Sequence, residues 1–319
     1  MDLSTTYLGF TLPHPLMPGA SPLVDDLDTV RKLEDAGASA MVMHSLFEEQ
    51  ITRTAGRPHS GAPAFPAAHE YALGPERYLE QVRRVKAAVS VPVIGSLNGT
   101  TPEGWLDYAA LIAQAGADAI ELNVYQLAAD PLESGVQVEQ RLLDIVEAVT
   151  DAVMIPVAVK LSPFFSSLSH VARRLKECGA DGLVLFNRFH QPDLDPEMLM
   201  AAPRLKWSTP EELLLRTRWL TILSGQVQMS LAATGGVHSG EDAIKAILAG
   251  ANAVQMVSAL LHHGPAHLAV VRRQISHWLD EREYDSLRDA QSAARALQAR
   301  DPRASERANY LRTLQIWRM

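Results

Sequence analysis

The stretch that most constrains the fold of this chain runs from Ala232 to Leu260, AATGGVHSGEDAIKAILAGANAVQMVSAL. An apolar run ends in Thr234, and Gly235-Gly236 follows, a pair that lets the backbone approach a ligand closely. Ser239 then opens a helix, with Asp242 at the spacing of a capping box. Ala243, Ile244, Ile247 and Leu248 share one helical face, and Gly250 stops the helix. A second apolar run, Ala253 to Val257, ends in Ser258. The pattern is strand, glycine loop, helix, glycine, strand, hydroxyl loop. Its glycines could simply turn the chain. Two adjacent loops rich in exposed N–H groups also make a pocket for an anion, most often phosphate, and in an eight-stranded α/β barrel that pocket follows strands 7 and 8. The convergence of two such loops favours the phosphate reading.

A short phrase recurs before other apolar runs: AGASA at 36–40, AGADA at 115–119, CGADG at 178–182 and AGANA at 249–253. Its spacing is too irregular for a solenoid but suits a parallel sheet, where glycine ends each helix and the chain turns straight into a buried strand. Eight candidate strands follow: Leu16–Ala20, Ala40–His44, Val93–Leu97, Ala119–Val124, Val157–Leu161, Gly182–Asn187, Met229–Thr234 and Ala253–Val257. Helical stripes fill the gaps, such as Tyr78, Val82, Val85 and Val89, or Trp105, Tyr108, Ala109 and Ile112 behind a Thr101-Pro102 start. Eightfold strand–helix alternation predicts an α/β fold, a (β/α)8 TIM barrel with extended βα loops and a helical C-terminal tail. No Pro- or Ser-rich linker divides the chain, so residues 1–319 read as one domain with 266–319 as a helical extension. In that extension Leu268, Val271, Ile275 and Leu279 repeat at helical spacing, and 280–319 reads as charged, Ala-rich helix packed outside or on a partner subunit.

Composition narrows the function. The net charge is −8 and no dense basic tract occurs, which argues against nucleic acid. No apolar run reaches membrane-spanning length, and MDLSTTYLGF lacks the regions of a signal peptide. The single cysteine, Cys178, excludes an internal disulfide and a cysteine-based metal site, and suits a reducing cytoplasm. Two stretches exceed a minimal barrel and follow strand ends: 45–75, with Arg53, Arg57, His59, Pro63, Pro66 and His69, and 188–222, with Arg188, His190, Pro192, Pro196, Pro203 and Trp207. Both read as lids over a site.

A barrel enzyme builds its site from residues just past each strand. Here these are Ala20-Ser21, His44-Ser45, Asn98-Gly99, Asn123 with Tyr125-Gln126, Lys160, Asn187-Arg188, Gly235-Gly236 and Val257-Ser258. The set is polar, poor in carboxylates and without metal-ligand spacing. It suits a planar heterocycle bearing amides and carbonyls, with a phosphate at one side. Lys160 in VAVKLSP has three readings: a fixed positive charge beside an anionic ligand, a Schiff-base nucleophile, or a structural ion pair with Glu121.

At these residues the sequence resembles the dihydroorotate dehydrogenase family of flavin-containing barrels, through ELN at 121–123, VKLSP at 159–163 and TGGVHSGEDAIKAILAGANAVQ at 234–255. The resemblance implies FMN. It places the backbone of Ala20 and Ser21 against the flavin ring, Ser45, Asn123 and Lys160 along the ring edge or ribityl chain, and Gly235, Gly236 and Ser258 on the phosphate. Asn98 and Asn187 complete the cofactor-facing set. The implied activity is an FMN-dependent oxidoreductase acting on a CH–CH bond of a small molecule, and the family suggests a homodimer. Three positions depart from the family pattern: Gln126 falls near the usual base position, His44 stands where a lysine is usual, and Val257 replaces a glycine at the phosphate. The first two argue against dihydroorotate itself as the substrate. Tyr125 is then the first candidate for proton transfer, followed by His44 and His190. Two other classes stay open: a flavin-free lyase or isomerase using Lys160 on a phosphorylated substrate, and a non-catalytic flavin module of a larger complex.

Overall fold

All eight expected strands are present, and they form one parallel sheet that curls into a ring. In chain order they are β1 (Leu16–Pro18), β2 (Met41–Val42), β3 (Val93–Asn98), β4 (Ala119–Asn123), β5 (Val157–Leu161), β6 (Gly182–Leu185), β7 (Ser230–Thr234) and β8 (Ala253–Met256). The computed structural model describes residues 1–54, 73–101, 106–202, 204–296 and 302–316. Within the sheet the strand order is β1-β8-β7-β6-β5-β4-β3-β2. The gap between β1 and β2 is bridged by Ser39, whose N–H and hydroxyl both donate to the Leu16 carbonyl, at 3.0 and 2.7 Å. The protein is therefore a (β/α)8 barrel, with helices α1 (Leu27–Asp35), α2 (Pro75–Ala88), α3 (Asp107–Gln114), α4 (Gly135–Ala152), α5 (Leu168–Glu177), α6 (Leu213–Ser224), α7 (Gly240–Leu248) and α8 (His267–Glu281).

The recurring phrase acts as expected. Gly37, Gly116, Gly179 and Gly250 have φ of +90°, +101°, +90° and +116°, each ending a helix one turn before a strand. The capping box of α7 is formed: Asp242 N–H donates to Ser239 Oγ, and Asp242 Oδ2 accepts from Ser239 N–H at 2.9 Å. The outward faces of the strands carry the branched residues, Val93, Leu97, Ile120, Leu122, Val157, Val159, Leu183 and Leu231, sealed beneath the helices. The side chains that alternate with these along each strand point into the barrel.

What fills the barrel interior was not foreseen. A hairpin, Thr5–Tyr7 with Phe10–Leu12, closes the amino-terminal mouth, turning through Leu8 and Gly9 at φ of +50° and +82°. Tyr7, Leu8 and Leu12 pack inside against Met17, Val42, Ile94 and Val184 and against small residues, Ala119, Ala158, Ala232 and Ala253. The Leu8 N–H donates to Ser230 Oγ and the Thr5 hydroxyl to the Asn252 carbonyl, which anchors the plug to the starts of β7 and β8. Tyr7-Leu8-Gly9-Phe10 lacks the Asn-Gly or Asp-Gly that signals such a turn.

The other long stretches resolve in part. Residues 188–222 contain a second hairpin, Asp193–Asp195 with Met200–Ala202, before α6. Of 45–75, the helix Glu48–Thr54 is described, while Arg57, His59, Pro63, Pro66 and His69 lie outside the described residues, as do Pro102, Trp105 and Pro203. The tail is not one continuous helix. Leu268, Val271, Ile275 and Leu279 of α8 are buried as their spacing predicts, but the chain turns at Glu283, with φ +57°. The helix Leu287–Ala296 then packs on α7, where Gln291 Nε2 donates to the Ile247 carbonyl at 2.9 Å. A last helix, Pro302–Gln315, leaves Tyr310, Leu311 and Leu314 exposed.

Candidate active site

The interior polarity rises along β3, β4, β5, β7 and β8. On β3 the inward positions read Ile94, Ser96, Asn98, and on β4 Ala119, Glu121, Asn123. The parallel register sets Asn98, Asn123 and Lys160 side by side at one height on β3, β4 and β5. Thr234 and Gln255 pair on β7 and β8. These positions floor a cavity of about 510 Å³ at the carboxyl end of the barrel.

The twelve residues assigned to the cofactor or put first for catalysis all line this one cavity: Ala20, Ser21, His44, Ser45, Asn98, Asn123, Tyr125, Lys160, Asn187, Gly235, Gly236 and Ser258, whereas the strand-end Gly99 does not. His190, the later proton-transfer candidate, and Val257 also line it, while Gln126 does not. The sequence reading named Arg188 at a strand end and Trp207 in a lid stretch without giving either a role, and it missed Phe186, Ser208 and Gln255. Gln255 was legible as an inward position of β8, by period two from Ala253. Trp207 and Ser208 reach the cavity from the long β6–α6 connection, for which no periodicity exists.

The floor is held by a buried ion pair. Lys160 Nζ lies 3.1 Å from Glu121 Oε1, and Gln255 Nε2 donates to Glu121 Oε2 at 2.5 Å. Glu121 is 1% exposed and the Lys160 side chain 10%. The ion pair weighed in the sequence is present, and the same lysine lines the cavity. An ammonium so paired offers no lone pair, which disfavours Schiff-base chemistry. Around it, Asn187 Nδ2 donates to Asn123 Oδ1 at 2.6 Å, and the Ser45 and Ser96 hydroxyls bond at 2.8 Å. His44 Nδ1 stands 3.1 Å from Asp25 Oδ2, so a carboxylate orients this ring.

The rim near α6 and α7 is built for close backbone approach. Gly235 and Gly236 have φ of +84° and +82°. A Cβ on Gly235 would lie 2.8 Å from Arg216 Nη2, and one on Gly236 2.6 Å from the Leu213 nitrogen. Arg216 is buried behind the loop, its Nε donating to the Thr234 carbonyl and its Nη1 to the Glu212 carbonyl. Burial lowers its pKa, opposed by Glu212. Ser258 Oγ accepts from the Ser208 N–H at 3.0 Å, which leaves its own proton to donate. His190 is pushed below the usual imidazole range by partial burial and then by Arg188. Two cavity-lining polar atoms, Ser21 Oγ and Gln255 Oε1, are buried without a hydrogen-bond partner. Native interiors rarely leave such atoms unpaired, so both mark places where a bound group would complete the bonding.

Residues 71–279 match the family model described as dihydroorotate dehydrogenase. The chain belongs to the dihydroorotate dehydrogenase family. Among its relatives is the catalytic subunit of dihydroorotate dehydrogenase B (NAD(+)) of Thermoplasma acidophilum, 26% identical over 90% of this chain and 97% of that protein. The corresponding subunit of Methanothermobacter thermautotrophicus is 31% identical over 60% of this chain and 64% of that protein. The NAD-dependent dihydropyrimidine dehydrogenase subunit PreA of Escherichia coli is 24% identical over 90% of this chain and 75% of its own. As a member of this family the chain is an oxidoreductase. Among the described residues no helix is long and apolar enough to cross a membrane.

Proposed function

We propose that the protein is an FMN-dependent oxidoreductase acting on a CH–CH bond of a small heterocyclic substrate. The observation that carries this reading is the meeting of every candidate cofactor residue in one cavity, with two unpartnered buried polar atoms in its wall. The residues fit the group. Gly235, Gly236 and Ser258 would hold the phosphate, supported from behind by Arg216. Asn98, Asn123, Asn187, Lys160 and Ser45 would bond the polar edge of the ring or the ribityl chain, with Ala20 and Ser21 against its face. Bound there, the flavin would supply hydride exchange with a C–C bond of the substrate.

The protein's own groups do the rest. Lys160, fixed by Glu121, places a positive charge by the ring, where negative charge is stabilised without reorganisation. Tyr125 and His44 are the proton-transfer groups, His44 being oriented by Asp25. Phe186, fully buried, gives the cavity an apolar wall, and the half-exposed Trp207 stands at its mouth. Gln126 stands off the cavity wall and cannot take a proton at neutral pH, so dihydroorotate is disfavoured as the natural substrate. Because all three of these relatives are named as subunits, a partner chain that takes the electrons is one arrangement, and a homodimer is a second that the family suggests. The lone cysteine suits the cytoplasm.

The test is an absorbance spectrum of the purified protein before and after incubation with FMN. A retained chromophore with a flavin spectrum is expected, bleached anaerobically by a dihydropyrimidine-type donor. Colourless protein that takes up no FMN at micromolar concentration would end this reading.

A further inference from the structure

We propose that His238, His262, His263 and His267 form a latch that holds the end of the β6–α6 connection over the mouth of the cavity near neutral pH and releases it in acid. The proposal rests on the oxidoreductase reading above and adds the regulation of that site.

The four imidazoles come from three elements and make one chain of contacts. His262 and His263 end the short helix Ser258–His263, His267 opens α8, and His238 lies in the loop between Gly236 and α7. The ring centroids of His262 and His263 are 4.4 Å apart, and those of His263 and His267 4.6 Å. His267 Nε2 donates to the His238 carbonyl at 2.7 Å. Both ends of the chain meet the β6–α6 connection. At one end the His262 ring packs edge-on with Trp207, 5.3 Å between centroids. At the other, His238 Nε2 lies 3.5 Å from Ser208 Oγ. Trp207 and Ser208 both line the cavity, and the Ser208 N–H donates to Ser258 Oγ at 3.0 Å. The latch therefore closes on the hydroxyl assigned above to the cofactor phosphate.

Contacts of this kind suit neutral rings. Among the described residues none of the four forms an ion pair with a carboxylate; the histidines that do are His44 and His277. Asp242, the acid of the same loop, is held in the α7 cap by the backbone N–H groups of His238 and Ser239. On α8 the next charged side chain, Arg272, is turned to Gly37. On the connection, Lys206 precedes Trp207 and lines the adjoining cleft with Arg188, which adds positive charge to that face. The charges acting on His263 are the other three imidazoles, which together with desolvation lower its pKa. The latched form thus resists protonation, whereas rings set apart regain their ordinary affinity for a proton. As the pH falls through the imidazole range, the released form binds the extra protons and is favoured. His262 and His263 are exposed, so those protons arrive directly from water.

The experiment uses the full-length protein, with and without FMN, between about pH 7.5 and 5.5, where imidazoles titrate. Acrylamide quenching reads the exposure of Trp207, as the difference between the protein and its Trp207→Phe variant. The rate of FMN release is read separately by absorbance, and circular dichroism monitors the fold. In acid, Trp207 should become more accessible and FMN release should quicken by about fivefold or more, the low end of couplings between linked sites. The double variant His262→Gln with His263→Gln should flatten both pH profiles, whereas His277→Gln, on the exposed face of α8, should leave them as they were. Trp207 exposure that does not change with pH, profiles that survive the double variant, or slower FMN release in acid would each overturn the proposal. The last would mean that the imidazolium charges attract the phosphate more than they open the mouth. Histidine-dependent exposure of Trp207 in a protein that takes up no FMN would sink the flavin reading alone.

Discussion

The two ends of the barrel use the same strands and the same period-two alternation, yet their interiors are opposites. At the amino-terminal end the inward positions are Ala119, Ala158, Ala232 and Ala253, and the space is filled by Tyr7, Leu8 and Leu12 from the hairpin. At the carboxyl end, one or two positions further along the same strands, they are Asn123, Lys160, Thr234 and Gln255, and the space is open. The difference teaches that a closed sheet does not dictate its filling. A plug supplied by another segment allows small apolar residues beneath it, whereas an unplugged end must carry polar groups that bond each other or a ligand. The stability of one end is hydrophobic packing, and that of the other is a network in which each lost partner leaves a charge or donor stranded.

The sharpest way to break this contrast is Lys160→Met. It leaves Glu121 as a buried, unpaired carboxylate and should cost about 3–5 kcal/mol in urea unfolding. Lys160→Met combined with Glu121→Gln should recover most of it, and a single substitution that costs under about 1 kcal/mol would show that the floor is not a coupled network. At the plugged end, Leu12→Ala should cost about 3 kcal/mol by the same measurement while leaving FMN uptake unchanged, since it empties space far from the cavity.

The plugged end should also carry an acid-sensitive contribution. His14 sits just before β1, its Nδ1 accepting from the Leu16 N–H at 3.2 Å. Burial, and then the nearby Arg272, lower its pKa to about 4. The folded value lies below the unfolded value, so the unfolded chain binds the extra proton first as the pH falls. Stability is complete above about pH 6.5 and declines between there and about pH 4, by about 2 kcal/mol between pH 6.5 and 5. Replacing His14 by Gln should flatten that slope in unfolding midpoints measured across this range, and an unchanged slope would place the acid sensitivity elsewhere. The smallest effect on folding is expected at Gly235→Ala, about 1–2 kcal/mol from its positive φ and the contact with Arg216, with a loss of FMN retention of tenfold or more. Normal retention in that variant would mean that the glycine loop does not touch the cofactor.

Much of this was legible in the sequence because it is local. The four Gly-Ala phrases, the Ser239–Asp242 cap and the eight apolar runs each report a backbone requirement within a few residues, and strand ends in a barrel converge by closure alone. That is why twelve residues scattered from Ala20 to Ser258 read as one group in the sequence, and they line one cavity. Tertiary structure alone decided which charges meet. Glu121 and Gln255 are 134 residues apart and share a hydrogen bond only because β4 and β8 face each other across the ring. Arg188 and Arg216 share Glu212 only because the β6–α6 connection folds back over the barrel mouth, and the plug fills the other mouth through a turn that its residues do not announce. Periodicity encodes burial along one element, but an ion pair across a barrel depends on distances between elements that no local pattern carries.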